Sequence, residues 1–136
     1  MPRQTLIATA LLVGISMLAV AAVVEFYSED VRHYCVSPVG PYCVTGYAYQ
    51  KTWTKVGYDD SARKVVSHTG AAYIDGGGIL YHIIIDQRHP DIAGCVGDRW
   101  SGYWWVRTDS DTVDWYAAGL YAFRWTTVSS IEVSAC

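Results

Sequence analysis

The chain has 136 residues, a formal net charge of −3 and 51% apolar side chains, room for one domain with its own core plus a separate apolar segment. The acidic residues all lie at Glu25 or beyond and no Lys/Arg cluster forms, which argues against nucleic acid as a partner, since phosphate binding depends on clustered cations. There is no asparagine, so N-linked glycosylation sites are excluded.

A short lead carrying Arg3 precedes an uncharged apolar run over residues 6–24. At about 1.5 Å per residue a helix of this length spans about 28 Å, close to a bilayer's hydrocarbon thickness. Arg3 on one side, with Glu25, Glu29 and Asp30 on the other, puts the N-terminus inside by the positive-inside rule. Ala10, Gly14, Met17 and Ala21 fall on one stripe of such a helix, and small side chains there let a second helix approach closely. The competing reading is a signal peptide cleaved near Ala21, at the small-x-small Ala19-Val20-Ala21.

Residues 25–33 read as a polar stalk continuing the helix for a turn or two. Four cysteines follow, Cys35, Cys43, Cys95 and Cys136, and fit two disulfides in an oxidising compartment. Pro38, Gly40 and Pro41 supply a reversing loop that favours Cys35–Cys43, leaving Cys95–Cys136 to pin the last residue. The domain division expected is 1–34 for helix and stalk, and 35–136 for an extracellular β-domain.

Beyond the first cysteine pair the chain reads as β throughout, with Val, Ile, Thr, Tyr and Trp punctuated by Gly and Asp. Strands are expected near 44–56, 63–74, 79–87, 100–108, 112–125 and 127–134. Asp75-Gly76-Gly77-Gly78 and Asp109-Ser110-Asp111 read as hairpin turns between them. The fold class expected is α+β: a long N-terminal hydrophobic helix, then a mainly antiparallel, Ig-like β-sandwich head with two disulfides.

Three groups of side chains could carry chemistry. His82 and Asp86 share a strand face but stand roughly 13 Å apart, too far for one ion; with His89 they read as surface or strand-end residues. Asp109, Asp111 and Asp114 form a D-x-D-x-x-D string whose oxygens could hold calcium in a loop; lacking the glycine and terminal glutamate of an EF-hand loop, it reads first as a solvated acidic hairpin tip. The aromatics are the third group, six Trp and eleven Tyr. Trp100, Tyr103, Trp104 and Trp105 cannot all face one core, while Tyr47, Tyr49 and Trp53 share a face with Lys51 and Lys55. Trp53, Trp100, Trp104 and Trp105 are the interface candidates; a carbohydrate-stacking surface and a thin core filled on both sides are the other readings. No nucleophile elbow, phosphate loop or metal-ligand spacing is present, so no enzyme, metal or cofactor is expected.

Ile7-Ala8-Thr9-Ala10-Leu11-Leu12-Val13, with Ile15 and residues 19–24, resembles the hydrophobic helix of archaeal type IV pilins. The resemblance implies a helix packed in a filament core with the β-domain facing outward. On that basis the expected protein is a structural subunit of a cell-surface filament, partnered by its own copies and inserted in a membrane through residues 6–24 before or after assembly. A single-span accessory subunit with membrane-protein partners, or a secreted binding module, are the alternatives.

Overall fold

The structure is a computed structural model, and it describes residues 23–90, 96–98 and 102–133. All the regular structure in them is β: β1 Val23–Val39, β2 Tyr42–Asp59, β3 Lys64–Gly78, β4 Leu80–Arg88, β5 Val96–Asp98, β6 Gly102–Ala117 and β7 Leu120–Val133.

The first sheet is a meander, β1-β2-β3. β1 and β2 pair antiparallel along nearly their whole length, from Val23 opposite Asp59 to Val39 opposite Tyr42. Gly40 (φ +58°) and Pro41 make the turn, the glycine taking a left-handed conformation and the proline fixing φ. Cys35–Cys43 closes this hairpin, with Cα atoms 5.2 Å apart, as its spacing suggested; in the chain-entropy view so short a loop contributes about 2.5 kcal/mol.

The second sheet places β6 between β4 and β7, with β5 on the N-terminal end of β6. The two sheets lie face to face, and Ile79 joins them. Its N–H donates to Thr45 O and its carbonyl accepts from Ala118 N, both at 3.1 Å. Two apolar clusters occupy the ends of the interface. Val56, Tyr58, Trp105, Ile131 and Val133 form one; Ala48, Leu80, Val113 and Trp115 form the other.

Several expectations are corrected. The α+β class gives way to an all-β arrangement among the described residues. The stalk is strand, because Glu25–His33 is paired residue by residue with β2, and β1 continues unbroken through Tyr34. An Ig-like sandwich interleaves its strands between sheets, whereas here consecutive strands stay together and switch sheets once. Among the described residues there is one disulfide; Cys95 and Cys136 lie outside them.

The filament reading rested on a hydrophobic helix over the apolar run, with the stalk expected to continue it for a turn or two. Its last two residues, Val23 and Val24, instead pair with Asp59 and Tyr58, and no helix among the described residues is long and apolar enough to cross a membrane. Among the described residues there is thus no helix to support the filament subunit, the single-span alternative or membrane insertion through 6–24, and residues 6–22 lie outside them. Ala10, Gly14, Met17 and Ala21 lie outside the described residues.

Both expected turns move. Gly76, Gly77 and Gly78 remain within β3, opposite Ala48, Tyr47 and Gly46. Asp109-Ser110-Asp111 lies mid-strand, so the strand expected at 100–108 and the first part of that expected at 112–125 are the single β6, while the rest of the latter joins the one expected at 127–134 as β7. The actual β6–β7 turn is Ala118-Gly119, at φ +50° and +84°. Two positive φ values match the right-handed twist of a hairpin, but an alanine there is strained by about 1 kcal/mol. Ala118→Asn, which tolerates that conformation, is expected to raise unfolding stability by about 1 kcal/mol in urea melts.

Candidate functional site

Alternation along β2 divides its side chains between two environments. Ala48, Gln50, Thr52, Thr54 and Val56 are buried between the sheets. Tyr47, Tyr49, Lys51, Trp53 and Lys55 point the other way, as period-two patterning demands.

The inward residues meet an unusual partner, the carboxylates of Asp109 and Asp111, both 0% exposed. Dry carboxylates are costly unless every oxygen is bonded. Thr54 Oγ1 donates to Asp109 at 2.6 Å, and Arg107 donates to it through Nε and Nη2 at 3.1 and 3.0 Å. Thr52 Oγ1 donates to Asp111. His89 bridges the two, Nδ1 lying 2.9 Å from Asp109 Oδ1 and Nε2 2.9 Å from Asp111 Oδ1. Carboxylate oxygens only accept, so both contacts are hydrogen bonds when the ring carries a hydrogen on each nitrogen. Gln50 extends the layer, donating to Thr127 Oγ1 and accepting from Trp115 Nε1, each at 3.0 Å. Burial pushes the Asp109 carboxyl up, but the bonds from Arg107, Thr54 and His89 outweigh it and hold the group below its ordinary value.

This layer corrects the reading of the acidic string. Asp109 and Asp111 are not loop ligands, and Asp114 faces the opposite side of β6, where Arg124 Nε donates to it at 2.6 Å. Among the described residues no group of His, Cys, Asp and Glu is arranged to hold a metal ion. Both carboxylates are buried and their oxygens engaged, so the layer ties the two sheets together. His82 packs on Trp115, ring centroids 5.3 Å apart, and Asp86 pairs with Arg88.

The outward residues of β2 form the middle column of an open face. Cross-strand register places His33 and Asp75 on either side of Tyr49, Val31 and Tyr73 beside Lys51, Glu29 and Ala71 beside Trp53, and Tyr27 and Thr69 beside Lys55. Tyr27 stacks on Trp53 at 6.2 Å and 25°; Tyr49 meets Tyr73 edge-on at 5.7 Å and His33 at 6.3 Å. His33, Tyr47, Tyr49, Lys51, Tyr73 and Asp75 line a shallow hollow of about 470 Å³.

Its floor follows from glycine. A side chain at Gly77 would collide with the Tyr47 ring, so the bare backbone lets that ring lie across β3 and its hydroxyl donate to Asp75 at 2.8 Å. That hydrogen bond and burial raise the Tyr47 phenol above its ordinary value, keeping it a neutral donor. Lys51 and Lys55 face Glu29 and Glu25 at 3.8 and 3.3 Å, so the face carries little net field.

Of the aromatic candidates, Trp53 stands on this face. Trp105 is 0% exposed in the core, which corrects its reading as an interface residue. The side chain of Trp104, like Trp100, lies outside the described residues. The shared face of Tyr47, Tyr49 and Trp53 was readable from alternation; Tyr27, His33, Tyr73 and Asp75 were not, because register alone brings them there. An apolar hollow between the sheets, lined by Tyr34, Leu80, Phe123 and Trp125 among others, lacks convergent polar groups and is the weaker candidate. Comparison of the chain with family models, curated proteins and solved structures finds no match, and the functional reading therefore rests on this geometry.

Two outcomes test the buried layer. Asp109 is depressed when folded, so its contribution to stability is complete above the ordinary carboxylate range and is lost as pH falls below about 4. Denaturant melts across acid pH are expected to show that loss, with a smaller slope in Asp109→Asn. His89→Ala removes the ring that bridges two dry carboxylates and is expected to cost about 3 kcal/mol or more in the same melts.

Proposed function

We propose that this protein is a non-catalytic binding module for a neutral, linear oligosaccharide, taken along β2 on the outer face of the first sheet. The observation that carries the reading is the aromatic array itself: Tyr27 with Trp53, and Tyr73 with Tyr49 and His33, around a hollow edged by polar groups.

A pyranose ring has apolar C–H faces and a rim of hydroxyls. Its faces suit flat aromatic side chains held rigidly at low entropic cost, and its rim needs mixed donors and acceptors in one place. The Lys51 ammonium, the Asp75 carboxylate and the Tyr47 hydroxyl supply both kinds beside the rings. From Tyr47 to Trp53 the extended strand covers about 20 Å, a length suited to several linked sugars. Charge argues for a neutral chain, because each lysine already faces a glutamate and Asp75 would repel an anionic glycan.

A panel of soluble polysaccharides in affinity electrophoresis, followed by calorimetry on the retained ones, tests this with the full chain. Retardation by neutral glucans, xylans or mannans is expected, with little by pectate or heparin. Tyr49→Ala and Trp53→Ala are each expected to weaken binding about tenfold or more, equivalent to about 1.4 kcal/mol. Tyr121→Ala on the other sheet should leave it unchanged. Absence of retention by every neutral glycan overturns the reading.

A further inference from the structure

The second sheet ends, among the described residues, on β4, which pairs with β6 along one side only. An edge strand offers unpaired N–H and C=O groups to any other strand, and proteins usually protect such edges with charges, bulges or a covering segment. β1, the edge of the first sheet, is protected in this way. It carries Glu25, Glu29, Asp30 and Arg32, and it is tied across to β7: Asp30 Oδ2 accepts from Val128 N at 3.0 Å and Ser28 O accepts from Ser129 Oγ at 2.9 Å.

β4 carries a register shift after Ile84 and the charged pair Asp86 with Arg88 toward its C-terminal end, but the residues before these have neither protection. Ile83, Ile84 and Ile85 are 48%, 44% and 47% exposed. Because neighbours in a strand alternate, the exposure of both Ile83 and Ile84 means that both faces of the strand are open there. No charged side chain interrupts Leu80 to Ile85, and β-branched residues are those that favour strand pairing.

We propose that β4 pairs antiparallel with β4 of a second copy of this chain, about a two-fold axis at Ile84, joining two second sheets into one continuous sheet. Ile84 is the midpoint of Leu80–Arg88, so the strand is complementary to itself. In that register Ile84 meets its own copy and Ile83 meets Ile85. Asp86 is neutralised within its own chain by Arg88 at 2.9 Å, so the axis brings no unpaired carboxylate near its copy. The register shift between Ile84 and Asp86 leaves Ile85 without a β6 partner, so Ile83 of one copy meets Ile85 and Asp86 of the other together, the two-against-one arrangement of a bulge. The dimer closes on itself and leaves the aromatic face of the first sheet open, so it stands or falls independently of glycan binding.

Sedimentation velocity of the full chain over a concentration series, with Ile84→Lys and Ile84→Cys, tests the proposal. The expected result is a concentration-dependent dimer whose dissociation constant rises more than about tenfold in Ile84→Lys, while far-UV circular dichroism stays unchanged. Cα atoms directly opposite across antiparallel strands lie about 4.5–5.5 Å apart, within disulfide reach. Ile84→Cys should therefore yield a reducible covalent dimer under mild oxidation, and Tyr81→Cys, away from the axis, should not. A wild-type chain that stays monomeric throughout the series overturns the proposal. So does a dimer that forms equally in Ile84→Lys and is not cross-linked through residue 84.

Discussion

Two carboxylates with no access to water set the terms for the rest of this fold. Asp109 and Asp111 lie between the sheets, and nearly every donor that satisfies them comes from a different part of the chain. Thr52 and Thr54 come from β2, and His89 from the end of β4; Arg107 sits on β6 itself. Slipping β2 by one residue would turn both threonines outward and bring Lys51 and Trp53 in. An apolar core tolerates approximate alignment, whereas a charged layer accepts one register. Arrangements of this kind contribute less to net stability than to uniqueness, since desolvation offsets much of the attraction. The apolar clusters at either end supply the burial that the middle lacks.

The outer face of the first sheet inherits its geometry from that constraint. Strict alternation means that committing Thr52 and Thr54 to the interior commits Tyr49, Lys51 and Trp53 to the exterior. The long ladders to β1 and β3 then add Tyr27, His33, Tyr73 and Asp75 at set distances. Glycine shapes both sides of the sheet: Gly77 makes room for the Tyr47 ring outside, and side chains at Gly70 and Gly76 would strike Asp109 and Trp115 inside.

The features that were legible in the sequence are those decided by near neighbours. The β character beyond residue 43, the Cys35–Cys43 closure and the shared face of Tyr47, Tyr49 and Trp53 follow from period-two patterning and short loops. The misread features depend on distant partners. Asp109-Ser110-Asp111 looks like a turn because aspartates ordinarily seek water; what holds it in a strand is contributed from residues 52, 54 and 89. Residues 25–33 have too mixed a polarity to announce a strand, and they become one by pairing with β2. Asp75-Gly76-Gly77-Gly78 carries a strong turn signature, yet those glycines serve close packing, and the tight turn falls at Ala118-Gly119, where the local signal is weaker. Buried polar residues at alternate positions in two separate strands, Thr52 and Thr54 in one and Asp109 and Asp111 in the other, were the available sign of the inner layer.

The single crossing at Ile79 bears on how the chain reaches this state. The strands of the first sheet follow one another in order, as do β6 and β7 in the second, so these ladders zip outward from turns with little loop entropy to overcome, while β4 joins β6 across the intervening β5. Contacts between the two sheets, such as Thr54 with Asp109, span more than fifty residues and depend on both ladders being in register. Folding should accordingly be limited by docking rather than by strand formation, with the aspartates remaining hydrated until the sheets meet. The step that commits the molecule is then the expulsion of water from its own charges.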